Sequence, residues 1–484
     1  MAVRLRKPIL VGGVGVSFGL WLWWNVQDSL MEVGEFGVLA AMAVGGGLWL
    51  FKRKPAFEGA SVRNFAPVTR KRLDDAIAQV NSRLDILRDE APDRDLSPFK
   101  DALAALPERL TRQKLQVAVA GTRHSGKTSL TALLAGSEMD VPGVEVAWTE
   151  AEALLLGNEA AKAAKEVVFA SDLTIFVVAG DLTESELQVL QELKASNQRI
   201  LLVFNQQDRY LPEERTTILE QLRASVSGIV ATEETIATAA VPSPLKVRQH
   251  QEDGGVEERM EMREPEIQEL RDRLVAVFSR DRQQLVLATT WREAMKLKAQ
   301  VQESLNQVRR DRALPLIERY QWVAAAATFA NPVPALDLLA TAAISAQLVV
   351  DLGEIYQQKF SLSQAQTASG TIGQLMVKLG IVELSTQAIG TILKGHAATY
   401  VAGGALQGVS AAYLTRLAGL SLIEYFQQQD GSSELSRGFN GDRFGKMLQN
   451  VFQQNQRTAF LQSFVKSAIA RLSSDAKSAE AIGS

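Results

Sequence analysis

Gly121-Thr122-Arg123-His124-Ser125-Gly126-Lys127-Thr128 fits the spacing G-x-x-x-x-G-K-[ST]. Glycines at these positions let a backbone wrap closely around a phosphate, so that successive N–H groups point inward. In such a loop Lys127 neutralises the outer phosphates of a nucleotide, and the Thr128 hydroxyl ligates Mg2+. Gly121, His124, Ser125, Gly126 and Ser129 complete the phosphate-binding set; His124 reads as a solvated loop residue rather than a catalytic one. Composition removes the competing chemistries. There is no cysteine, which excludes disulfides, thiolate metal sites and a thiol nucleophile. The three histidines, His124, His250 and His396, lie far apart in sequence, which argues against a histidine metal centre. With 52 basic and 55 acidic side chains the net charge is −3, so no nucleic-acid partner is expected.

A phosphate loop works at a strand-to-helix junction, and the flanking sequence supplies one. The apolar run "LQVAVA" (115–120) precedes it and the helical stretch "SLTALLAG" (129–136) follows. Further apolar runs at 144–148, 173–179, 199–204 and 235–241 alternate with helical periods at 184–195 and 212–225. Strands alternating with helices predict a mostly parallel sheet with crossover helices, an α/β P-loop arrangement. "PEIQELRDRLVAVF" (265–278) reads as the closing helix of that unit, and the charged, glycine-containing 246–264 as a mobile loop.

Asn205-Gln206-Gln207-Asp208, directly after "RILLVF", resembles the guanine-reading N-K-x-D motif of the translation-factor-like GTPases. That resemblance implies that Asp208 accepts two hydrogen bonds from guanine while Asn205 braces neighbouring loops. Gln206 replaces the lysine whose aliphatic stem packs on the base. Residues 113–280 thus resemble a divergent small GTPase of the Era/TrmE-like class, with GTP or GDP and Mg2+ as the implied ligands. The D-x-x-G of that class is missing: "VEVAW" runs into Thr149-Glu150-Ala151-Glu152, where Glu150 or Glu152 would have to stand in. "TAA" at 238–240 is a poor match to the base-supporting S-A-K. Loss of the Asp argues for nucleotide binding with weak or absent hydrolysis. Residues 310–427, on "FANPVPALDLLATAAISAQLVVDLGEIY" (329–356), resemble the YcjF-type helical domain of bacterial membrane proteins.

Around these parts the 484 residues divide unevenly. Residues 8–24 and 36–51 carry no charge, and basic residues flank them outside an acidic turn (Asp28, Glu32, Glu35). That pattern predicts a transmembrane helical hairpin in 1–54, with both termini and the main domains cytoplasmic. A cleaved signal peptide is the alternative, and a second apolar segment directly after the first argues against it. Residues 55–112 form a helical linker whose stripe Leu73, Ile77, Val80, Leu84 and Leu87 packs on a neighbouring domain or serves as a docking helix. The GTPase-like unit occupies 113–282, an apolar all-α domain 283–430, and an amphipathic helix and tail 431–484. The alanine-rich C-terminal helices form a buried bundle, with insertion into a bilayer as the competing reading.

These expectations combine into a membrane-anchored guanine-nucleotide switch that controls its helical domain. The partners are the nucleotide, the lipid bilayer, a membrane or peripheral protein, and a second copy of the chain in a nucleotide-dependent dimer. A pseudo-GTPase scaffold that organises a membrane complex is the principal alternative, and a dynamin-like membrane remodeller a lesser one.

Overall fold

The computed structural model describes residues 66–137, 141–151, 159–250, 256–330, 334–394, 403–428, 439–456 and 458–483. The expected transmembrane hairpin of residues 1–54 lies outside them, as does Glu152. Five strands form a parallel sheet: β1 (Lys114–Gly121), β2 (Glu145–Glu150), β3 (Leu173–Val178), β4 (Ile200–Phe204) and β5 (Thr235–Ala237). Their spatial order is β2-β1-β3-β4-β5, every neighbouring pair being parallel. All residues of β3 and β4 are buried, which is why these strands read as unbroken apolar runs.

Helices cover both faces of the sheet. On one side Leu130 and Leu134 of α3 (Lys127–Gly136) pack with Val117, Val119, Ile175 and Val203. On the other lie α4 (Glu159–Ala170), α5 (Glu184–Ala195) and α6 (Pro212–Ser225), where Val168, Leu190 and Leu222 meet Phe176, Leu202 and Phe204. The start of α5 is fixed by a reciprocal cap: Glu186 N–H donates to the Thr183 hydroxyl, and Thr183 N–H donates to the Glu186 carboxylate.

Two sequence expectations are corrected here. Residues 265–278 do not close the first unit. Their helix is the beginning of α7 (Gln268–Ala330), 63 residues long, which crosses the expected 282/283 boundary without interruption. At 1.5 Å per residue α7 extends about 95 Å. It contains no glycine and one proline, Pro315, so nothing in its first 45 residues stops it. Its early turns bury Leu270, Leu274 and Phe278 against the sheet. Its middle buries Ala294, Leu297, Val301 and Leu305 against Leu73, Val80, Leu84 and Leu87 of α1 (Arg70–Glu90) and Leu106 of α2 (Ser97–Arg109). The linker stripe is therefore an internal packing surface.

The second correction concerns the segment expected to be a mobile loop. Within 246–264 the antiparallel strands β6 (Leu245–His250) and β7 (Val256–Glu261) form a hairpin. Cross-strand charge holds it: Glu258 pairs with Arg248 at 2.7 Å and with Lys246 at 2.5 Å. Charge alternating along a solvated ribbon left no apolar periodicity to read.

The last turns of α7 join α8 (Pro334–Ile355), α9 (Leu362–Lys378), α10 (Ile381–Lys394), α11 (Gly403–Gln427), α12 (Gly441–Asn455) and α13 (Thr458–Gly483). One core contains Ile317 and Tyr320 of α7, Leu352 of α8, Ile372 of α9, Tyr413 and Ile423 of α11, Phe444 of α12 and Phe464 of α13. α7 and α11 approach closely at Gly419, where a Cβ would lie 2.7 Å from a side-chain carbon of Ile317. Among the described residues no single helix is long and apolar enough to cross a membrane; α9 and α10 are so only as a pair, bent by 66°.

Candidate functional site

The carboxyl ends of β1, β4 and β5 bring together the loops at 121–126, 205–208 and 238–240, at the edge where open α/β sheets bind ligands. Gly121 has φ 143°, and a Cβ there would lie 2.1 Å from the Val177 carbonyl oxygen of the adjacent strand. Gly126 has φ 83° and caps α3, and a Cβ would lie 2.3 Å from Asn205 Nδ2. Only glycine fits either position, so the backbone can curl as a phosphate cradle requires. His124 is also left-handed, at φ 63°, and exposed. The Ser125 hydroxyl donates to Thr122 O at 2.9 Å, and the nearly buried Lys127 donates from Nζ to the same oxygen at 2.5 Å. Ser129 lies half-buried in the first turn of α3, whose positive dipole end faces the loop.

Asn205 is the hub. It is buried, its Nδ2 donates to Ser125 O at 2.9 Å, and its Oδ1 accepts from the Thr238 hydroxyl at 3.1 Å and Ala240 N–H at 3.0 Å. One side chain thereby ties the phosphate loop to the loop after β5, and "TAA" serves through a hydroxyl and an amide despite its poor match to S-A-K. Gln206, left-handed at φ 62°, donates from Nε2 to His124 O at 2.9 Å. The residue standing where a lysine was expected thus still reaches the phosphate loop, by a polar contact.

Asp208 Oδ2 accepts from Ser243 N–H at 2.8 Å, while Oδ1 is buried with no hydrogen-bond partner. Burial opposes ionisation of this carboxyl, but the amide and hydroxyl of Ser243 and its own amide outweigh it, and its pKa sits below the ordinary carboxylate value. The result is an ionised acceptor with one oxygen fixed and one unmet. Ser243, outside any recognisable motif, was not legible in the sequence.

At the end of β2, Glu150 stands in line with Val119 of β1, and the Thr128 hydroxyl donates to its Oε1 at 3.0 Å. A carboxylate thus stands beside the Thr128 hydroxyl, on a strand end where the sequence has no D-x-x-G. No group of three or more acidic or histidine side chains able to hold a metal occurs among the described residues. An ion placed here would depend on Thr128, Glu150 and oxygens of the nucleotide itself, the usual arrangement for Mg2+ beside phosphates. The steric cradle, the orphaned Asp208 oxygen and the paired Thr128 and Glu150 fit a purine nucleotide with Mg2+.

The opposite end of the sheet is bolted to α7. Arg292 is buried and donates to the carbonyls of Phe169 (3.3 Å), Ser171 (2.6 Å) and Asn197 (3.1 Å), which terminate α4 and follow α5. A cation there completes orphan carbonyls and complements the negative helix ends. Asp172, fully buried, pairs with Arg112 and accepts from Thr289 of α7 at 2.7 Å.

Residues 292–457 match the family described as "Domain of unknown function (DUF697)", covering α7 from Arg292 and the helices α8 to α12. No curated protein matches the chain. Among solved structures it is similar to "LeoA bacterial dynamin GTPase from ETEC", with 11% identity over 86% of this chain and 97% of that one at a TM-score of 0.23. It is also similar to "LAO/AO transport system kinase", with 14% identity over 60% and 100% at a TM-score of 0.22. Superpositions this loose carry no argument about the chemistry of this chain.

Proposed function

We propose that the chain is a guanine-nucleotide-binding switch, held at a membrane by residues 8–24 and 36–51, whose nucleotide state is carried by α7 to the helical region. The observation that supports it is Asn205 joining the 121–126 and 238–240 loops with the unmet Asp208 oxygen three residues away. In this reading Gly121, His124, Ser125, Gly126, Lys127, Thr128 and Ser129 bind the phosphates. Asn205 and Asp208 serve the guanine, Asp208 accepting from the ring N1–H and the 2-amino group, an adjacent pair of donors that adenine does not present. Thr128 holds Mg2+, with Glu150 beside it. A bound magnesium ion would screen phosphate charge, and the chain's own contribution is to orient and neutralise. Hydrolysis is slow or absent, because the end of β2 provides no aspartate to position water.

The test is fluorescent-nucleotide binding to the full chain with GTP, GDP and ATP analogues, with and without Mg2+. Guanine-selective binding that is lost in Lys127→Ala and loses base selectivity in Asp208→Ala is expected. Equal binding of guanine and adenine analogues, or none, sinks the reading. Turnover no greater than that of Lys127→Ala would favour the scaffold over the enzyme, a reading that the Thr149-Glu150-Ala151 sequence in place of D-x-x-G also supports.

A further inference from the structure

At the amino ends of β1 and β2, remote from the phosphate loop, a cavity of about 850 Å3 opens between the start of α1, the α2–β1 link, residues 141–144 and α7. Four arginines line it: Arg70, Arg112, Arg280 and Arg282. None of its lining side chains among the described residues is acidic. Two of the arginines are partly compensated from outside, Arg70 by Asp74 at 3.0 Å and Arg112 by Asp172. Among the described residues Arg282 reaches only backbone carbonyls, of Arg112 and Gln113, at 3.5 and 3.4 Å, and the exposed Arg280 has no ion-pair partner. Arg112 Nε is buried without a hydrogen-bond partner among them. The remaining wall is apolar, built from Leu110, Val141, Pro142, Phe278 and Val286.

A surface charged only for solubility mixes both signs, whereas this cavity sets guanidinium groups of one sign beside a hydrocarbon wall. Guanidinium forks match phosphate oxygens two at a time, and the apolar wall suits a hydrocarbon stem rather than a bare ion.

We propose that this cavity is a second binding site, taking a phosphate-bearing anion on an apolar stem, with the phosphate among Arg112, Arg280 and Arg282. It stands independently of nucleotide binding at the phosphate loop. The test is calorimetric titration of the full chain in neutral-detergent micelles with dihexanoyl phosphatidylglycerol, dihexanoyl phosphatidylcholine and inorganic phosphate. Saturable phosphatidylglycerol binding is expected, with phosphatidylcholine at least tenfold weaker. Arg280→Ala/Arg282→Ala should lose at least tenfold, Arg280→Lys/Arg282→Lys less, and Lys127→Ala nothing. Arg280→Ala alone touches an exposed, unpaired side chain and keeps the test valid if the double variant misfolds; it should still lose severalfold. Displacement of the lipid by millimolar phosphate would show that the phosphate is what is read. Inorganic phosphate binding as tightly as the lipid would show that the apolar wall contributes nothing and would overturn the assignment of a stem-bearing ligand. Equal binding of the two lipids, or wild-type phosphatidylglycerol affinity in both alanine variants, would overturn the proposal.

Discussion

Replacing Asn205 by alanine is the sharpest probe of the site, because one small side chain holds three elements. Truncation removes the bonds to Ser125 O, Thr238 Oγ1 and Ala240 N–H, at 2.9, 3.1 and 3.0 Å. Ser125, Thr238 and Ala240 are all at most 2% exposed, so water does not readily replace what is lost. A buried group left unpaired costs about 1–3 kcal/mol. The Thr238 hydroxyl can rotate to another acceptor, whereas the Ser125 carbonyl and the Ala240 amide are fixed. Counting chiefly those two gives about 3 kcal/mol, set against a whole-domain stability of about 5–15 kcal/mol. The domain should therefore stay folded while the loops open more often. Hydrogen exchange followed on peptides covering 121–130 and 235–243 should accelerate about a hundredfold, since 1.4 kcal/mol is tenfold in an equilibrium. Exchange in α12, at the far end of the chain, should not change. Gln206→Ala removes a single exposed bond to His124 O and should accelerate exchange less than tenfold, from a loss of about 0.5–1.5 kcal/mol. Equal, small effects from the two substitutions would refute the bracing argument, since burial and bond count are all that separate them.

Three other outcomes follow from the same geometry. Arg292→Met removes a donor from the carbonyls of Phe169, Ser171 and Asn197, of which Ser171 O keeps Gln198 Nε2 at 3.1 Å, and leaves Asp172 with fewer cations nearby; global stability should fall by about 3 kcal/mol, read from denaturant midpoints. Gly419→Ala forces α7 and α11 apart at Ile317 and should cost about 1–3 kcal/mol, and Ile317→Val in the same chain should recover part of it, a coupling that a double-mutant cycle measures. Because the folded-state pKa of Asp208 is lowered, its stabilising contribution is present above the unfolded value and lost as pH falls through the folded one. Guanine affinity carried by that carboxylate should accordingly be level from pH 8 to about 5 and decline only below the ordinary aspartate pKa of about 3.9; a midpoint near 6 in binding titrations would point to another group.

What was legible in the sequence followed from how strongly local pattern and tertiary need coincide. The five apolar runs became the five strands, β3 and β4 buried throughout and the edge strand β2 half-buried, and the glycine spacing of the 121–128 motif was readable because glycine is a steric necessity at Gly121 and Gly126. Asn205 reaches both neighbouring loops because its place at a strand end fixes what it can bond. The hairpin β6–β7 escaped notice because its strands are joined by the backbone ladder and carry exposed charges such as Lys246, Arg248 and Glu258, which leave no mark on hydrophobic periodicity. The boundary in α7 failed for the opposite reason. Apolar periodicity persists from Leu270 to Ala325, but the partners change along the way, from sheet to α1 to α11, and a period records a buried face without recording what buries it. The pairing of Thr128 with Glu150 shows the same limit within the site. A glutamate one position from the end of an apolar run is unremarkable as sequence, and only the in-register alignment of β2 with β1 brings its carboxylate to the threonine hydroxyl. A contact between residues 22 apart, one at the start of α3 and one at the end of β2, is fixed by the sheet that carries both elements, so a motif search that expects D-x-x-G passes over it.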